Sequence, residues 1–473
     1  MAEKLQKLIN DYPAMRWTAL FLVALMMFFG YMFVDVMSPL QQLVEAERGW
    51  SPDAFGTYAS SEYLLNVFGF LILAGIILDK MGIRFTGTLS ASMMFVGAAI
   101  KFYAVSDWFA GSGLEAWLNS WWVSMPGSAK LASLGFMIFG CGCEMAGTTV
   151  SKAIAKWFKG KEMAMAMGIE MAIARIGVFS IFSISPYLAE KLGGVQGPVG
   201  FCAALLLIGL INFIVFGMMD KHLDGQLKGQ VAASGEETDE EEFKISDLGI
   251  IFRSRSFWVV AILCVLYYSA IFPFQRFGAN MLQCNLDGIS AETASNIFRW
   301  FPIGAAVITP FLGRFLDKKG KGATMLIMGA FLLIICHLVF AFLLPATHSW
   351  VLAYATIVVL GISFSLVPAA LWPSVPKIID EKILGSAYNL IFWVQNIGLC
   401  LVPMLIGSVL ASSNADNPAV IAARESGAEF IPYDYTVPLI IFACFGIAAL
   451  LVALYLKAWD ARKDLGLEKP NMK

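Results

Sequence analysis

Residues Leu131 to Phe179 read LASLGFMIFGCGCEMAGTTVSKAIAKWFKGKEMAMAMGIEMAIARIGVF and predict a helical hairpin that crosses a membrane twice. Two apolar arms, 131–155 and from Met163 onward, flank a basic turn that holds Lys156, Lys159 and Lys161. The first arm is interrupted by Glu144 and Lys152, and the second by Glu170 and Arg175.

Glu144 and Arg175 are predicted to lie at the same depth. Glu144 comes 12 residues before Lys156, where the turn starts, and Arg175 comes 13 residues after Glu162, where it ends. At about 1.5 Å of rise per residue, both stand roughly 18–20 Å from one membrane face. That is near the middle of a hydrocarbon layer about 30 Å thick, where charge is costly and usually functional.

The composition predicts a polytopic membrane protein. Of 473 residues, 58% are hydrophobic and only 14% are charged, against about a quarter in soluble domains. The net charge of −2 indicates no nucleic-acid partner. The three histidines and eight cysteines show no zinc or disulfide spacing, so we expect no metal and no cofactor. No cleavable signal peptide and no nucleophile–base pattern is recognisable, and we expect no enzyme.

Twelve apolar segments are long enough to span a bilayer. They lie near 17–39, 54–78, 85–105, 131–155, 163–188, 199–219, 257–280, 292–315, 323–344, 350–374, 384–411 and 436–457. Lysine and arginine concentrate in the connections on the side of the two termini, whereas the opposite connections hold little beyond Arg48, Lys130, Lys191 and Arg424. By the positive-inside rule, both termini are predicted to be cytoplasmic.

The chain divides into two halves around an acidic connection. SGEETDEEEF, residues 234–243, lacks apolar periodicity and predicts a flexible linker. We therefore expect a cytoplasmic N-terminus at 1–16, a six-helix bundle at 17–219, a linker at 220–256, a second bundle at 257–458 and a cytoplasmic tail at 459–473.

A charged motif repeats in the two halves, 238 residues apart. It follows the second span as Gly75, Asp79, Lys80, Gly82 and Arg84, and the eighth span as Gly313, Asp317, Lys318 and Gly320. The first glycine of each copy would allow close helix packing, and Gly82 a tight turn. The charges would form a clamp that holds the cytoplasmic ends of the halves together in one access state. Parallel six-helix repeats with a midplane site are a standard transporter architecture.

The pattern G-x-x-x-D-[RK]-x-G-x-R resembles the loop signature of the major facilitator superfamily. Five further segments are similar to the lysosomal dipeptide uniporter branch of that superfamily: 157–162, 171–177, 267–274, 370–376 and 384–399. The resemblance implies an all-α fold of two pseudo-symmetric six-helix bundles that exports dipeptides by alternating access. It places Glu144, Arg175 and Trp372 at charged and tryptophan positions of that branch. Because glycosylation acceptors and a dileucine signal are missing, we expect a prokaryotic-type relative in a plasma or inner membrane.

A dipeptide zwitterion needs a carboxylate for its ammonium end and a guanidinium for its carboxylate end. Glu144 and Arg175 would supply both. The alternative, a permanent ion pair that joins the fourth and fifth helices, is equally compatible with the sequence.

Other predicted site residues reach similar depth. Tyr267 and Tyr268 precede Pro273, which would break the seventh helix; Trp372 lies in the proline-containing tenth helix. Gln395 and Asn396 are suited to a peptide bond. For each of these side chains, packing or hydrogen bonding between helices is an open alternative.

Four further groups received structural interpretations. Asp35 and Glu62 favour a solvated outer vestibule over a cation site, and Lys152 with Glu170 would form a gate pair. Arg299 would extend toward the outer face. His337 is expected to be a hydrogen-bonded packing residue rather than a proton relay.

The sequence thus favours transport of dipeptides or similar small zwitterions, most simply as uniport. Proton-coupled transport of organic anions or drugs, with Glu144 or Asp35 as proton carrier, is the alternative. A sensor that binds solute without moving it is the third interpretation. The expected partners are a small-molecule substrate and the lipid bilayer.

Overall fold

A computed structural model describes residues 8–234, 248–379 and 384–470, and within these ranges every regular element is helical. The first half contains α1 (Pro13–Asp35), α2 (Gln41–Arg48), α3 (Pro52–Leu65), α4 (Leu71–Val105), α5 (Gly113–Asn119), α6 (Gly127–Trp157), α7 (Met163–Lys191) and α8 (Gln196–Ser234). The second contains α9 (Leu248–Arg253), α10 (Arg255–Asn285), α11 (Ala291–Phe298), α12 (Trp300–Lys319), α13 (Gly322–Leu338), α14 (Leu344–Thr347), α15 (Trp350–Ile378), α16 (Leu384–Ser413), α17 (Pro418–Glu425) and α18 (Thr436–Lys463).

Ten helical stretches among the described residues are long and apolar enough to cross a membrane. One of them, Pro52–Val105, has 54 residues and turns back at Gly82, whose φ is +75°, so it supplies two crossings. The predicted eighth span falls on the consecutive helices α11 and α12. The structure therefore confirms the predicted all-α fold with twelve crossings. Of the predicted linker at 220–256, residues 235–247 lie outside the described residues. α8 continues through its first part to Ser234, and α9 lies in its last part.

The prolines inside the helices do not end them. α10 runs without interruption through Pro273, and α15 runs through Pro368, Pro373 and Pro376. The prediction that Pro273 breaks the seventh helix is therefore wrong. Neighbouring helices hold the chain on its helical path even though each proline removes one backbone donor.

The two halves have a common internal geometry. In the first, α4 packs on α6 and α8, and α1 packs on α7; in the second, α13 packs on α15 and α18, and α10 packs on α16. Gly82 and Gly320 hold the same place in the repeated motif, and both have positive φ, +75° and +71°. The sequence repeat is thus also a repeat of backbone conformation.

We call the side that bears both termini the terminal face and the opposite side the far face. The described hydrogen bonds and ion pairs between the halves lie at mid-depth or toward the far face. There α3 meets α16 backbone to backbone: a Cβ on Gly56 would lie 2.9 Å from Cα of Gly407. The Met404 amide also donates to Oγ of Ser60 across this contact, at 2.9 Å.

The segment 412–435 takes part in this closure. It contains α17, whose Arg424 pairs with Glu45 of α2 at 3.4 Å. Tyr433 donates to the same carboxylate at 2.5 Å. Gln42 bonds the backbone of Ile431 in both directions, at 2.9 and 3.0 Å. The conformation is therefore closed at the far face.

Candidate functional site

A cavity of about 270 Å³ lies between the halves. It receives side chains from α1, α3, α6 and α7 of the first half and from α10, α15 and α16 of the second. Six of the seven predicted binding residues line it: Glu144, Arg175, Tyr268, Trp372, Gln395 and Asn396. The fold thus brings together predicted residues from five helices, which were chosen by their depth along each helix.

Tyr267 is the exception. Its side chain is fully buried, and its hydroxyl donates to the backbone oxygen of Ser363 on α15 at 2.5 Å. Adjacent residues of a helix point about 100° apart, so Tyr267 faces the interior of the second half while Tyr268 faces the cavity. Tyr267 therefore has the packing role, which the sequence had left open.

Glu144 and Arg175 line the cavity without forming an ion pair with each other. Among the described residues, no cation stands within 4 Å of the Glu144 carboxylate and no carboxylate within 4 Å of the Arg175 guanidinium. Arg175 instead lies against aromatic rings, 5.0 Å from the centre of Phe364, 5.9 Å from Phe272 and 6.0 Å from Tyr31. In this conformation the permanent ion pair is absent, and both charged groups are available to a solute.

An aromatic wall faces these charges from the second half. The Trp372 ring stacks on Phe392 with centroids 4.8 Å apart, and its indole N–H donates to the Tyr268 hydroxyl at 3.2 Å. Tyr268 in turn stacks on Phe272 with centroids 5.5 Å apart. Because each ring is fixed by another ring or by a hydrogen bond, the wall has a defined shape.

Two residues that line the cavity each carry a buried amide oxygen with no hydrogen-bond partner among the described residues. Asn396 donates through Nδ2 to the backbone oxygen of Phe392 at 2.9 Å, but its buried Oδ1 accepts nothing. Gln275 donates through Nε2 to Asp35 at 2.5 Å, and its Oε1 is likewise unpaired. A buried acceptor without a partner is unfavourable, so both atoms are suited to an N–H donor on a bound solute.

A second charged cluster, the inter-half triad, consists of Asp35 on α1, Glu62 on α3 and Arg276 on α10. Arg276 Nη1 lies 3.1 Å from Asp35 Oδ1, and Nη2 bonds Oε2 of Glu62. All three side chains are buried, and all three contribute to the cavity lining. Arg276 also donates to the backbone oxygen of Val34.

The triad corrects the prediction of a solvated outer vestibule. Asp35 and Glu62 are 0% and 4% exposed. Their burial is tolerated because Arg276 of the other half neutralises part of their charge. Sequence analysis did not single out Arg276. The repeat offers a signal: subtracting 238 places Arg276 at position 38, one helical turn from Asp35. Equivalent helices of the two halves thus carry opposite charges at one depth.

The repeated motif forms ion pairs within the first half. Asp79 pairs with Lys152 of α6 at 3.1 Å, and Arg84 pairs with Asp224 of α8 at 3.3 Å. Lys156 bridges Asp224 and Asp220 at 2.5 and 2.8 Å. These pairs join α4 and α6 to each other and to α8, all within the first half. In this conformation they do not form the predicted clamp between the two halves. Lys80 and Lys318 are exposed, and Asp317 is half-buried at the end of α12.

Two further expectations about this region change. Among the described residues, nothing beyond the local helix backbone lies within 4 Å of a Cβ built on Gly75 or Gly313, so these glycines do not serve close packing in this conformation. Lys152 pairs with Asp79 in place of the predicted partner Glu170. Both observations agree with helices that lie apart at the terminal face while the far face is closed.

Two remaining side chains are held inside the structure. Arg299 donates to Asn296 at 2.9 Å and to Ser183 of α7 at 3.3 Å, so it joins the halves and does not extend outward. His337 is buried beside Phe274 and bonds the backbone oxygen of Leu333 at 2.8 Å, which agrees with the expected packing role.

The family sequence profile of the Major Facilitator Superfamily matches this chain over residues 20–403 and 282–473. The chain belongs to the major facilitator superfamily. Its relatives and structural neighbours are transporters and not enzymes, and the chain is a multi-pass membrane protein.

Sequence relatives share about a quarter of their residues with this transporter. The lysosomal dipeptide transporter MFSD1 of Homo sapiens is 26% identical over 413 residues, which cover 84% of this chain and 81% of the relative. The protein of the same name from Danio rerio is 28% identical over 351 residues, covering 72% and 68%.

Solved structures share the fold at lower identity. A mutant of the nucleoside transporter NupG superposes with a TM-score of 0.70 at 13% identity, covering 93% of this chain and 99% of NupG. The D-xylose-proton symporter gives 0.65 at 13% identity, covering 93% and 97%. At this identity the similarity establishes the superfamily fold alone.

Proposed function

We propose that this chain transports dipeptides or similar small zwitterionic solutes by alternating access, as a uniporter. One observation carries the proposal: Glu144 and Arg175 line the same cavity and do not neutralise each other. A carboxylate and a guanidinium that are both unpaired in a low-dielectric site need a ligand with the complementary pair of charges. The names of the sequence relatives support dipeptides as that ligand.

In the proposed complex, Glu144 accepts hydrogen bonds from the ammonium group and Arg175 donates two to the carboxylate. Between them, the unpaired oxygens of Asn396 and Gln275 become the acceptors for the peptide N–H. The aromatic wall of Trp372 and Tyr268 contacts the substrate side chains. A volume of about 270 Å³ suits a molecule of this size.

Alternating access requires that the far-face contacts break and form in each cycle. The inter-half triad is the buried charged part of that closure, because Arg276 is in one half and both carboxylates are in the other; the Arg424–Glu45 pair is its more exposed part. The terminal-face ends would approach in the opposite state, where Gly75 and Gly313 would then meet a partner helix. We propose the bundles at 17–219 and 257–458, joined by a linker at 220–256, as the moving bodies.

Proton-coupled transport of an organic anion is the second candidate. Glu144 favours it, since no described cation lies within 4 Å of its carboxylate and a proton could take that place. Asp35, the other predicted proton carrier, is engaged with Arg276 and is the weaker choice. The excess of lysine and arginine on the terminal face supports cytoplasmic termini, and we propose a plasma or inner membrane as the location.

The proposal is tested with purified protein in liposomes. Uptake of a labelled dipeptide such as alanyl-alanine should proceed without a pH gradient, and Glu144→Gln and Arg175→Lys should each abolish it. Tyr267→Phe, on α10 and outside the cavity, is the control and should transport normally. Strict dependence on a proton gradient would favour the coupled mechanism, and binding without flux would favour a sensor. Full uptake by Glu144→Gln would refute the site.

A further inference from the structure

A second cavity, of about 510 Å³, lies at the side of the molecule near the far face. We call it the lateral crevice. Its walls include Leu134 and Met137 on α6 and Leu401 and Met404 on α16, so both halves contribute to it. Leu134, Leu401 and Met404 are between 41% and 53% exposed, and the opening is therefore lateral, toward the bilayer.

The roof of the lateral crevice is the short helix α5 and the turn that follows. Trp117, Trp121 and Trp122 line it, and tryptophans of this kind settle where lipid headgroups meet acyl chains. Lys130 fixes the roof, because its ammonium donates to the backbone oxygens of Leu118, at 2.5 Å, and of Trp121. The crevice is thus preformed at the depth of the lipid glycerol and ester groups.

Ser133 gives the crevice a polar contact. It lies on the lining, it is 7% exposed, and its hydroxyl has no hydrogen-bond partner among the described residues. Ser133 follows Lys130 by three residues on α6, so it stands about one helical turn deeper than the roof. The buried hydroxyl is an available donor at the level where an acyl ester carbonyl lies.

We propose that the lateral crevice binds one acyl chain of a glycerolipid whose ester carbonyl accepts a hydrogen bond from Ser133. The chain would lie between α6 and α16, beside the point where Met404 bonds Ser60 and Gly56 meets Gly407. The bound lipid touches both halves only while α3 and α16 are together. It therefore stabilises the far-closed conformation, and transport speed becomes dependent on lipid type.

Native mass spectrometry of the delipidated full chain tests this inference. With dioleoyl phosphatidylcholine we expect one retained lipid per chain, held about fivefold more tightly than the ether-linked analogue, which lacks the carbonyl. Ser133→Ala should reduce retention of the ester lipid to that of the ether lipid. Leu134→Trp combined with Met404→Trp should fill the crevice and remove retention altogether.

Leu451→Trp is the matched control, since Leu451 is 62% exposed on the lipid-facing side of α18, away from the crevice. It should keep the lipid. The unfolding temperature of every variant is measured alongside, so that a loss of lipid caused by a folding defect is recognised. Equal retention by the wild type and the double tryptophan variant would overturn the site, and equal affinity for ester and ether lipids would overturn the role of Ser133.

Discussion

Gln42 and Asn280 are 238 residues apart, the period of the sequence repeat, and they bond each other across the two halves at 2.8 Å. The pair joins equivalent positions of the first and second half near the far face. The same Gln42 side chain also bonds Ile431 twice. A single carboxamide therefore connects two segments of the second half to the first.

Gln42→Ala should favour the far-open conformation, since its hydrogen bonds to Asn280 and Ile431 of the other half are lost in the closed state, whereas solvent replaces them in the open state. We expect roughly a tenfold rise in the far-open population. Distances between spin labels at Glu190 and Glu292, both exposed near the far face, would measure it. Asn285→Ala is the control, because Asn285 bonds Phe340 within its own half. An unchanged distance distribution in Gln42→Ala would contradict the prediction.

Arg276→Met should destabilise the protein strongly, because it leaves Asp35 and Glu62 buried without a cation. Loss of one partner from a buried ion cluster costs about 3–5 kcal/mol. Thermal unfolding in detergent would show it against Arg48→Met, which removes a pair whose acid, Asp107, is 71% exposed and should cost less than about 1 kcal/mol.

Neutralising the acids should reverse that loss. In the Arg276→Met background, Asp35→Asn with Glu62→Gln should recover most of the unfolding temperature, since amides need no counter-charge. If the triple variant is as unstable as the single one, packing around Arg276 matters more than charge.

The two glycines of the first motif should respond in opposite ways to alanine. Gly82 has φ +75° and ψ 173°, a region open essentially only to glycine, so Gly82→Ala should cost about 1–3 kcal/mol. Gly75 is helical with open space around it, and Gly75→Ala should be neutral or stabilising by up to ~1 kcal/mol.

Transport activity gives a second test of the Gly75→Ala variant. If the terminal-face ends meet during the cycle, Gly75→Ala should slow uptake although the protein is stable. Normal uptake by Gly75→Ala would show that this end never packs closely. Thermal unfolding and liposome uptake of the same preparations provide both readings.

Glu162, at the terminal-face turn, predicts a pH effect. Hydrogen bonds from Arg16, at 2.8 and 3.2 Å, lower the pKa of the Glu162 carboxyl below its ordinary value of 4.5. Its stabilisation is therefore complete above pH 4.5 and is lost as the pH falls through the lower folded pKa. The difference in unfolding temperature between the wild type and Glu162→Gln should be constant from pH 8 to 5 and shrink toward pH 3. A difference that grows on acidification would contradict this assignment.

Hydropathy and helical rise were sufficient for the crossings and for the shared depth of Glu144 and Arg175, because both depend on position along one chain segment. The direction in which a side chain points around its helix axis could not be predicted in the same way. Tyr267 and Tyr268 have the same depth and chemistry, and only packing decides which one faces the cavity. The partner of Asp35 and Glu62 lies more than 200 residues away, so no local pattern revealed it.

The conformational state was not encoded locally either. Gly75 predicts close packing, and in the far-closed structure a Cβ at this position would contact no neighbouring helix among the described residues. One sequence must serve two arrangements of the same helices. The motif charges illustrate the same limit. Their spacing predicts ion pairs, but whether the partner is in the same half depends on which faces are in contact.

The meeting of Gly56 with Gly407 has a thermodynamic consequence for the speed of the cycle. At this point the halves touch through backbone alone, and glycine has no side-chain rotamers to order. Each closure therefore forgoes the entropic penalty of up to about 2 kcal/mol that one long side chain would incur there. A contact of this kind can form and separate repeatedly without a side chain having to be ordered and released in each cycle.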